Sequence, residues 1–236
     1  MDKKSMERHI SHKFDEDLEQ LKNMVLKMGG VVEQQIADAV KAVESADSEL
    51  AEKVIRVEDE VDLKEVELDE ACTSVLACRQ PAASDLRMVL AITKMTRDLE
   101  RMGDEAQKVA KMAIALQDSG SKGYEEARHI GALVQKMVNT VLDAFARFDV
   151  DQALEVARTD KEVDREYKSA MREIVTYMME DPRAITRSMN ILWTLRAIER
   201  IGDHARNIAE HVIFLVKGTD VRHTSLQEIE RRIGKA

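Results

Sequence analysis

The chain carries one short phrase twice. Residues 99–106 read L-E-R-M-G-D-E-A and residues 198–205 read I-E-R-I-G-D-H-A, with five identities in eight at an offset of 99. Upstream, Glu60-Val61-Asp62 lines up with Glu162-Val163-Asp164 at an offset of 102, and Ala51, Val54 and Arg56 line up with Ala153, Val156 and Arg158. Pro81 and Pro182 stand at the same joint of each copy. A period near 100 in a chain of 236 residues leaves room for two copies and little else. Whatever one copy folds into, the other folds into as well.

Each copy reads as helix. Two prolines, nine glycines and 3% aromatic residues are too few for the turns and strands of a β-sandwich or barrel. Six long helices are expected. The first runs from about Phe14 to Ser45, and the second from an N-cap at Asp47 or Ser48 to about Arg79. The third opens at Pro81, which suits a first helical turn, and ends near Gln117. Asp118-Ser119-Gly120-Ser121-Lys122-Gly123 reads as the linker between the copies. The fourth spans Tyr124 to about Phe148, the fifth follows Asp149 to about Glu180, and the sixth starts at Asp181-Pro182 and stops at Lys217-Gly218. The fold class is therefore all-α, two tandem pseudo-symmetric three-helix bundles. The expected domains are 1–118 with an N-terminal extension, 124–218, and a tail over 219–236.

The third and sixth helices show the packing most plainly. Met88, Ile92, Met95, Leu99, Met102, Ala106, Val109, Ala113 and Leu116 recur in steps of three and four. Ile198, Ile201, Ala205, Ile208, Val212 and Leu215 repeat the pattern. Such seams suit helices crossing at shallow angles. Met88, Met95 and Met102 fall on these stripes, and the 13 methionines read by default as core filler. Trp193 reads as a packing anchor rather than a contact residue.

Composition excludes several classes. The net charge of -9 and the absence of a basic run speak against nucleic-acid binding. Cys72 and Cys78, six apart on one helix, face different ways and cannot pair there. The opening Met1-Asp2-Lys3-Lys4 leads into charge rather than an apolar stretch, and the longest late apolar run, residues 212–216, is far short of a membrane span. The expectation is a soluble cytoplasmic protein that is not an enzyme.

The chemistry lies in paired carboxylates. Each copy holds two acidic pairs at i,i+4: Glu58 with Asp62 and Glu100 with Asp104, then Asp160 with Asp164 and Glu199 with Asp203. Residues four apart share a helix face, and like charges so placed repel until a cation joins them. With 45 acidic residues, one such pair means little; its recurrence in the same surroundings means more. The heptad register turns Glu100 and Asp104 outward and sets Glu58 and Asp62 beside the seam, so an open acidic patch is expected on each bundle. Such patches suit Mg²⁺, Mn²⁺, Fe or Zn²⁺. His204 and Asn207 extend the second patch, where the first copy has Glu105 and Lys108. Gly103 and Gly202, retained inside helices at a cost of about 0.5–1 kcal/mol each, point to close helix approach. Arg101 and Arg200 read either as ion-pair partners of nearby carboxylates or as anion- or partner-recognition residues.

These residues resemble the PhoU family of phosphate-transport accessory proteins, over about residues 8–217. The likeness rests on the doubled E-R-x-G-D motif and on the continuation Asp203-His204-Ala205-Arg206-Asn207-Ile208-Ala209-Glu210. It implies paired three-helix bundles, a homodimer, and metal clusters on the eight carboxylates named above, with His204 and Asn207 as weaker ligands. It also implies negative regulation of the phosphate-starvation response. The partners would be the ATPase subunit of the phosphate ABC transporter and its sensor histidine kinase, with the chain peripheral to the inner membrane only through them. Two rival readings stand beside it. A ferritin-like carboxylate-metal enzyme wants two converging E-x-x-H motifs, whereas only Glu126-Ala127-Arg128-His129 has that spacing. A purely structural helical protein would use the acidic pairs for solubility alone.

Overall fold

Apolar steps of three and four, unbroken by proline for some thirty residues at a time, give long helices. The computed structural model describes residues 12–117, 124–222 and 224–234. It contains α1 (His12–Ser45), α2 (Ser48–Arg79), α3 (Ala83–Leu116), α4 (Tyr124–Arg147), α5 (Val150–Glu180), α6 (Ile185–Lys217) and a short α7 (Leu226–Arg232). No strand occurs among the described residues. The 118–123 linker lies outside them.

The caps explain most of the boundaries. The Asp47 side chain accepts from the Leu50 amide and starts α2. Asp149 accepts from the amides of Asp151 and Gln152 and starts α5. Gly218, at φ 71°, closes α6. The proline joints differ from the sequence reading. Pro81 lies in the connection, because the reversal after α2 passes through Gln80 at φ 47° and α3 begins only at Ala83. Pro182 opens a 3₁₀ turn over Pro182–Ala184, capped by Asp181, before α6 starts at Ile185.

Helices α1, α2 and α3 pack on one another, and so do α4, α5 and α6. The trios meet along α3 with α6 and along α1 with α4. Asp98 reaches His204 and His211 while Glu105 reaches Arg200, so α3 and α6 run antiparallel. Every residue of the two predicted seams is buried, within one core that takes side chains from both copies. Trp193 departs from expectation and is 54% exposed. Its neighbours Ile191, Thr194, Leu195 and Ile198 occupy the inward side of α6, which turns the indole outward.

The closest backbone approach is also not where the motif glycines suggest. A Cβ on Gly29 would lie 2.5 Å from Leu142 Cδ2, and one on Gly131 would lie 2.7 Å from Val40 Cγ1. Gly29 and Gly131 are 102 residues apart, as are Val40 and Leu142. The duplication thus supplies both glycines and both knobs of the α1–α4 contact. Gly202 meets only ordinary contacts, at 3.5 Å or more, so no close approach requires it.

Candidate functional site

Helix α2 lays Glu58 and Asp62 against Glu100 and Asp104 of α3, and α5 lays Asp160 and Asp164 against Glu199 and Asp203 of α6. The mutual influence of these carboxylates shows the grouping. Glu58 is destabilised as an anion by Asp104, Asp62 and Glu100, and Glu199 by Asp203, Asp164 and Asp160.

The patches are less open than the register implied. Glu58, Asp160 and Glu199 are buried, while Asp62 and Asp203 are exposed. The neighbouring helix covers the positions next to the seam. Burial, opposed by a hydrogen bond from Gln35 and reinforced by the nearby acids, pushes Glu58 up to about 7. Burial also pushes Glu199 up to about 7, reinforced by Asp203 and opposed by Arg196. Burial likewise raises Glu100, Asp160 and Asp203, although Arg206 opposes the rise at Asp160.

Glu58 Oε2 accepts from Gln35 Nε2 at 2.7 Å, but Glu58 Oε1 is buried with no hydrogen-bond partner. Glu199 Oε1 accepts from Arg196 Nη1 at 2.7 Å, and Glu199 Oε2 is likewise buried and unpartnered. Each copy therefore leaves one carboxylate oxygen buried and unsatisfied within its acidic cluster, on α2 in the first half and on α6 in the second, an arrangement that costs free energy unless a cation or proton fills it. Gly103 makes room for this. A Cβ there would stand 3.1 Å from both Glu58 oxygens and from Gln35 Oε1. The donor set is all oxygen and fits a hard divalent ion. Among the described residues, however, no three His, Cys, Asp or Glu side chains stand in a finished cage. The carboxylates share one another's field without converging on a point.

The two clusters are unequal. In the second, Asp160 pairs with Arg206 at 2.9 Å, Asp164 with Lys168 at 3.1 Å and Glu199 with Arg196 at 2.7 Å. In the first, none of Glu58, Asp62, Glu100 and Asp104 has an ion pair among the described residues. That cluster also runs further, since Glu65 and Asp69 continue Glu58 and Asp62 along α2 in steps of three and four. Glu65 is raised by burial and then by Asp69 and Asp62. Together with Glu100 and Asp104, and with Arg97 and Arg101 on the same walls, Glu65 and Asp69 line a recess of about 470 Å³. The same heptad steps that revealed the seams could have shown these two acids in the sequence.

His204 and Asn207 are placed away from the second cluster. His204 Nδ1 lies 2.9 Å from Asp98 Oδ1, Asn207 Nδ2 donates to the same oxygen at 3.1 Å, and His211 Nε2 lies 3.2 Å from Asp98 Oδ2. Adjacent residues on a helix point about 100° apart, so His204 cannot follow Asp203. Burial resists ionisation of Asp98, but the bonds from His204, His211 and Asn207 outweigh it and hold the carboxyl at about 2. An ionised carboxylate only accepts, so Nδ1 of His204 and Nε2 of His211 carry the protons. The second copy has Ala197 where the first has Asp98, so the repeat conceals this node. Arg200 joins the halves too, through Glu105 at 2.9 Å.

The lone E-x-x-H lies elsewhere. Glu126 and exposed His129 border a surface recess of about 210 Å³ with Glu166 and Glu173, rather than the bundle interior that a di-iron site needs. Among the described residues no helix is long and apolar enough to cross a membrane.

Comparison with known proteins places this geometry among relatives. The PhoU domain profile matches residues 25–113 and 127–212, one match in each half. The phosphate-specific transport system accessory protein PhoU homolog of Pseudomonas aeruginosa is 57% identical over 235 residues, covering 99% of this chain and 97% of its own. The accessory protein PhoU of Escherichia coli is 42% identical over 235 residues, covering 98% and 96%. The crystal structure of PhoU from P. aeruginosa superposes with a TM-score of 0.85 at 60% identity, covering 87% of this chain and all of that one. The phosphate transport system regulatory protein PhoU from Streptococcus pneumoniae superposes with a TM-score of 0.83 at 30% identity, covering 88% and 99%.

Proposed function

The chain belongs to the PhoU family, and from that membership we propose that it regulates phosphate transport and represses the phosphate-starvation response. It acts as a cytoplasmic adaptor, without catalysis, between the ATPase subunit of the phosphate ABC transporter and its sensor histidine kinase. Its relatives' names, accessory and regulatory proteins of phosphate transport, support the role. The adaptor works by preferential association: it binds one transport state better than another, and that difference biases the kinase. A homodimer belongs to the same reading.

Divalent metal, Mg²⁺, Mn²⁺, Fe or Zn²⁺, is held by Glu58, Asp62, Glu100 and Asp104 in the first half and by Asp160, Asp164, Glu199 and Asp203 in the second. The observation that carries this is one buried glutamate in each half, Glu58 on α2 and Glu199 on α6, each with one unsatisfied oxygen in a crowd of acids. A bound cation supplies positive charge that offsets the crowding. The chain's own part is to hold Glu58 in place through Gln35 and Glu199 through Arg196. The first cluster, whose four carboxylates make no ion pair among the described residues although Arg97 and Arg101 border them, is expected to bind more tightly than the second.

Metal content after mild purification tests the metal reading. The Glu58→Gln/Asp104→Asn variant is expected to lose more metal than Glu199→Gln/Asp203→Asn, and unchanged content in both variants would remove the metal claim. The adaptor reading is tested separately by deletion: phosphate-starvation genes are expected to escape repression in rich phosphate, and continued repression would sink it.

A further inference from the structure

A second feature lies on the seam between the halves and uses none of the acidic clusters' buried oxygens. A cleft of about 650 Å³ runs along α3 and α6, with Lys94, Arg97, Arg101, Arg200, Arg206 and Arg222 on its walls. These are six cations in a chain whose net charge is -9. Three already have partners: Arg200 with Glu105, Arg206 with Asp160 and Glu210, and Arg222 with Asp220. The other three stand on one face of α3 and make no ion pair or side-chain hydrogen bond among the described residues. Lys94 rests against the Phe214 ring, 5.9 Å from its centroid, and lies in the field of Asp220, which is bonded to Arg222. Glu65 and Glu100 feel Arg97 and Arg101 without bonding to them.

The acids of the cleft do not cancel this charge. Asp98 is committed to His204, Asn207 and His211, and Glu210 to Arg206. Asp203 faces the second acidic cluster. The side chains of the cleft left free to bond a ligand are therefore Lys94, Arg97 and Arg101, on a rigid helix whose inner face is core; Arg97 and Arg101 also border the acidic recess of Glu65, Asp69, Glu100 and Asp104.

We propose that this cleft binds a chain of phosphate groups, a di- or triphosphate moiety, laid along Lys94, Arg97 and Arg101. Seven residues of helix set the outer two cations about 10 Å apart along the axis, too far for one phosphate and suited to an extended polyanion. Two guanidinium forks and an ammonium offer many donors, and a phosphoryl group, with its several acceptor oxygens, matches them better than a carboxylate does. No Phe, Tyr or Trp lines the cleft, and the rings of His204 and His211 are buried and tied to Asp98, so it offers no free stacking platform for a base. The phosphate chain is the recognised part, whether free or carried by a nucleotide. This inference stands apart from the adaptor reading; because Arg97 and Arg101 border the first acidic cluster, it is tested on metal-stripped protein.

Calorimetric titration of the full chain, stripped of metal and desalted, tests it with tripolyphosphate, ATP, inorganic phosphate and citrate as probes. Tripolyphosphate and ATP are expected to bind within a few-fold of each other, and phosphate and citrate at least about tenfold more weakly. Arg97→Gln/Arg101→Gln is expected to weaken tripolyphosphate by about tenfold or more, and Lys94→Gln by less, with circular dichroism and melting temperature unchanged. Lys41→Gln/Arg128→Gln, exposed cations outside the cleft, should bind as the parent does. Absent tripolyphosphate binding, or equal binding by the Arg97/Arg101 variant, overturns the proposal. Phosphate or citrate binding as tightly as tripolyphosphate overturns the phosphate-chain assignment, and ATP binding far more tightly overturns the exclusion of the base.

Discussion

Asp98 and Glu58 are buried carboxylates with opposite balances. Asp98 is stabilised as an anion by three donors from the other half of the chain. Its folded value of about 2 lies below the ordinary 3.8, so its contribution is present above 3.8 and is lost as pH falls through about 2. Asp98→Asn is expected to lose about 2 kcal/mol at neutral pH in urea unfolding, with the deficit closing as pH drops through that window. A deficit that persists at the acid end would mean packing, not charge, holds the node. Glu58 and Glu199 lie the other way, raised from 4.5 to about 7. Their contribution is fully present below 4.5 and is lost as pH rises through about 7. Metal-stripped protein is thus expected to melt lower at pH 8 than at pH 6, and Glu58→Gln/Glu199→Gln to flatten that slope. Thermal scans across the range check both.

Between helices, the glycines separate into kinds. Val40 is β-branched and stiff, so the Cβ of Gly131→Ala has nowhere to go, and a loss of about 1–3 kcal/mol is expected. Gly29→Ala presses on the end of Leu142, which can rotate, and should cost less. Gly202→Ala, with ordinary contacts only, should gain about 0.5–1 kcal/mol from helix propensity. Chemical denaturation of the three variants reads the order directly, and a stabilised Gly131→Ala would contradict the α1–α4 packing described. The motif glycines repeat visibly within one duplicated phrase. The glycines that matter to packing also repeat, at an offset of 102, but their partners Val40 and Leu142 are unremarkable apolar residues on other helices.

Across the whole molecule, one core takes side chains from both trios, so thermal and urea unfolding are expected to show a single transition with coincident far-UV and tryptophan signals. Two separated transitions would mean the trios stand alone. Much of this architecture is legible in the chain itself. Spacing of apolar residues fixes the helices and their seams, because helical periodicity is a local property. Duplication fixes the pairing of Glu58, Asp62, Glu100 and Asp104 with Asp160, Asp164, Glu199 and Asp203. What no local pattern can state is how the halves meet. The antiparallel contact of α3 with α6 brings His204, Asn207 and His211 to Asp98, more than a hundred residues away, and leaves Lys94, Arg97 and Arg101 without ion pairs among the described residues. Burial, too, is a property of the assembled helices: it turns an acidic patch drawn on a helical wheel into two dry glutamates with an oxygen each to satisfy.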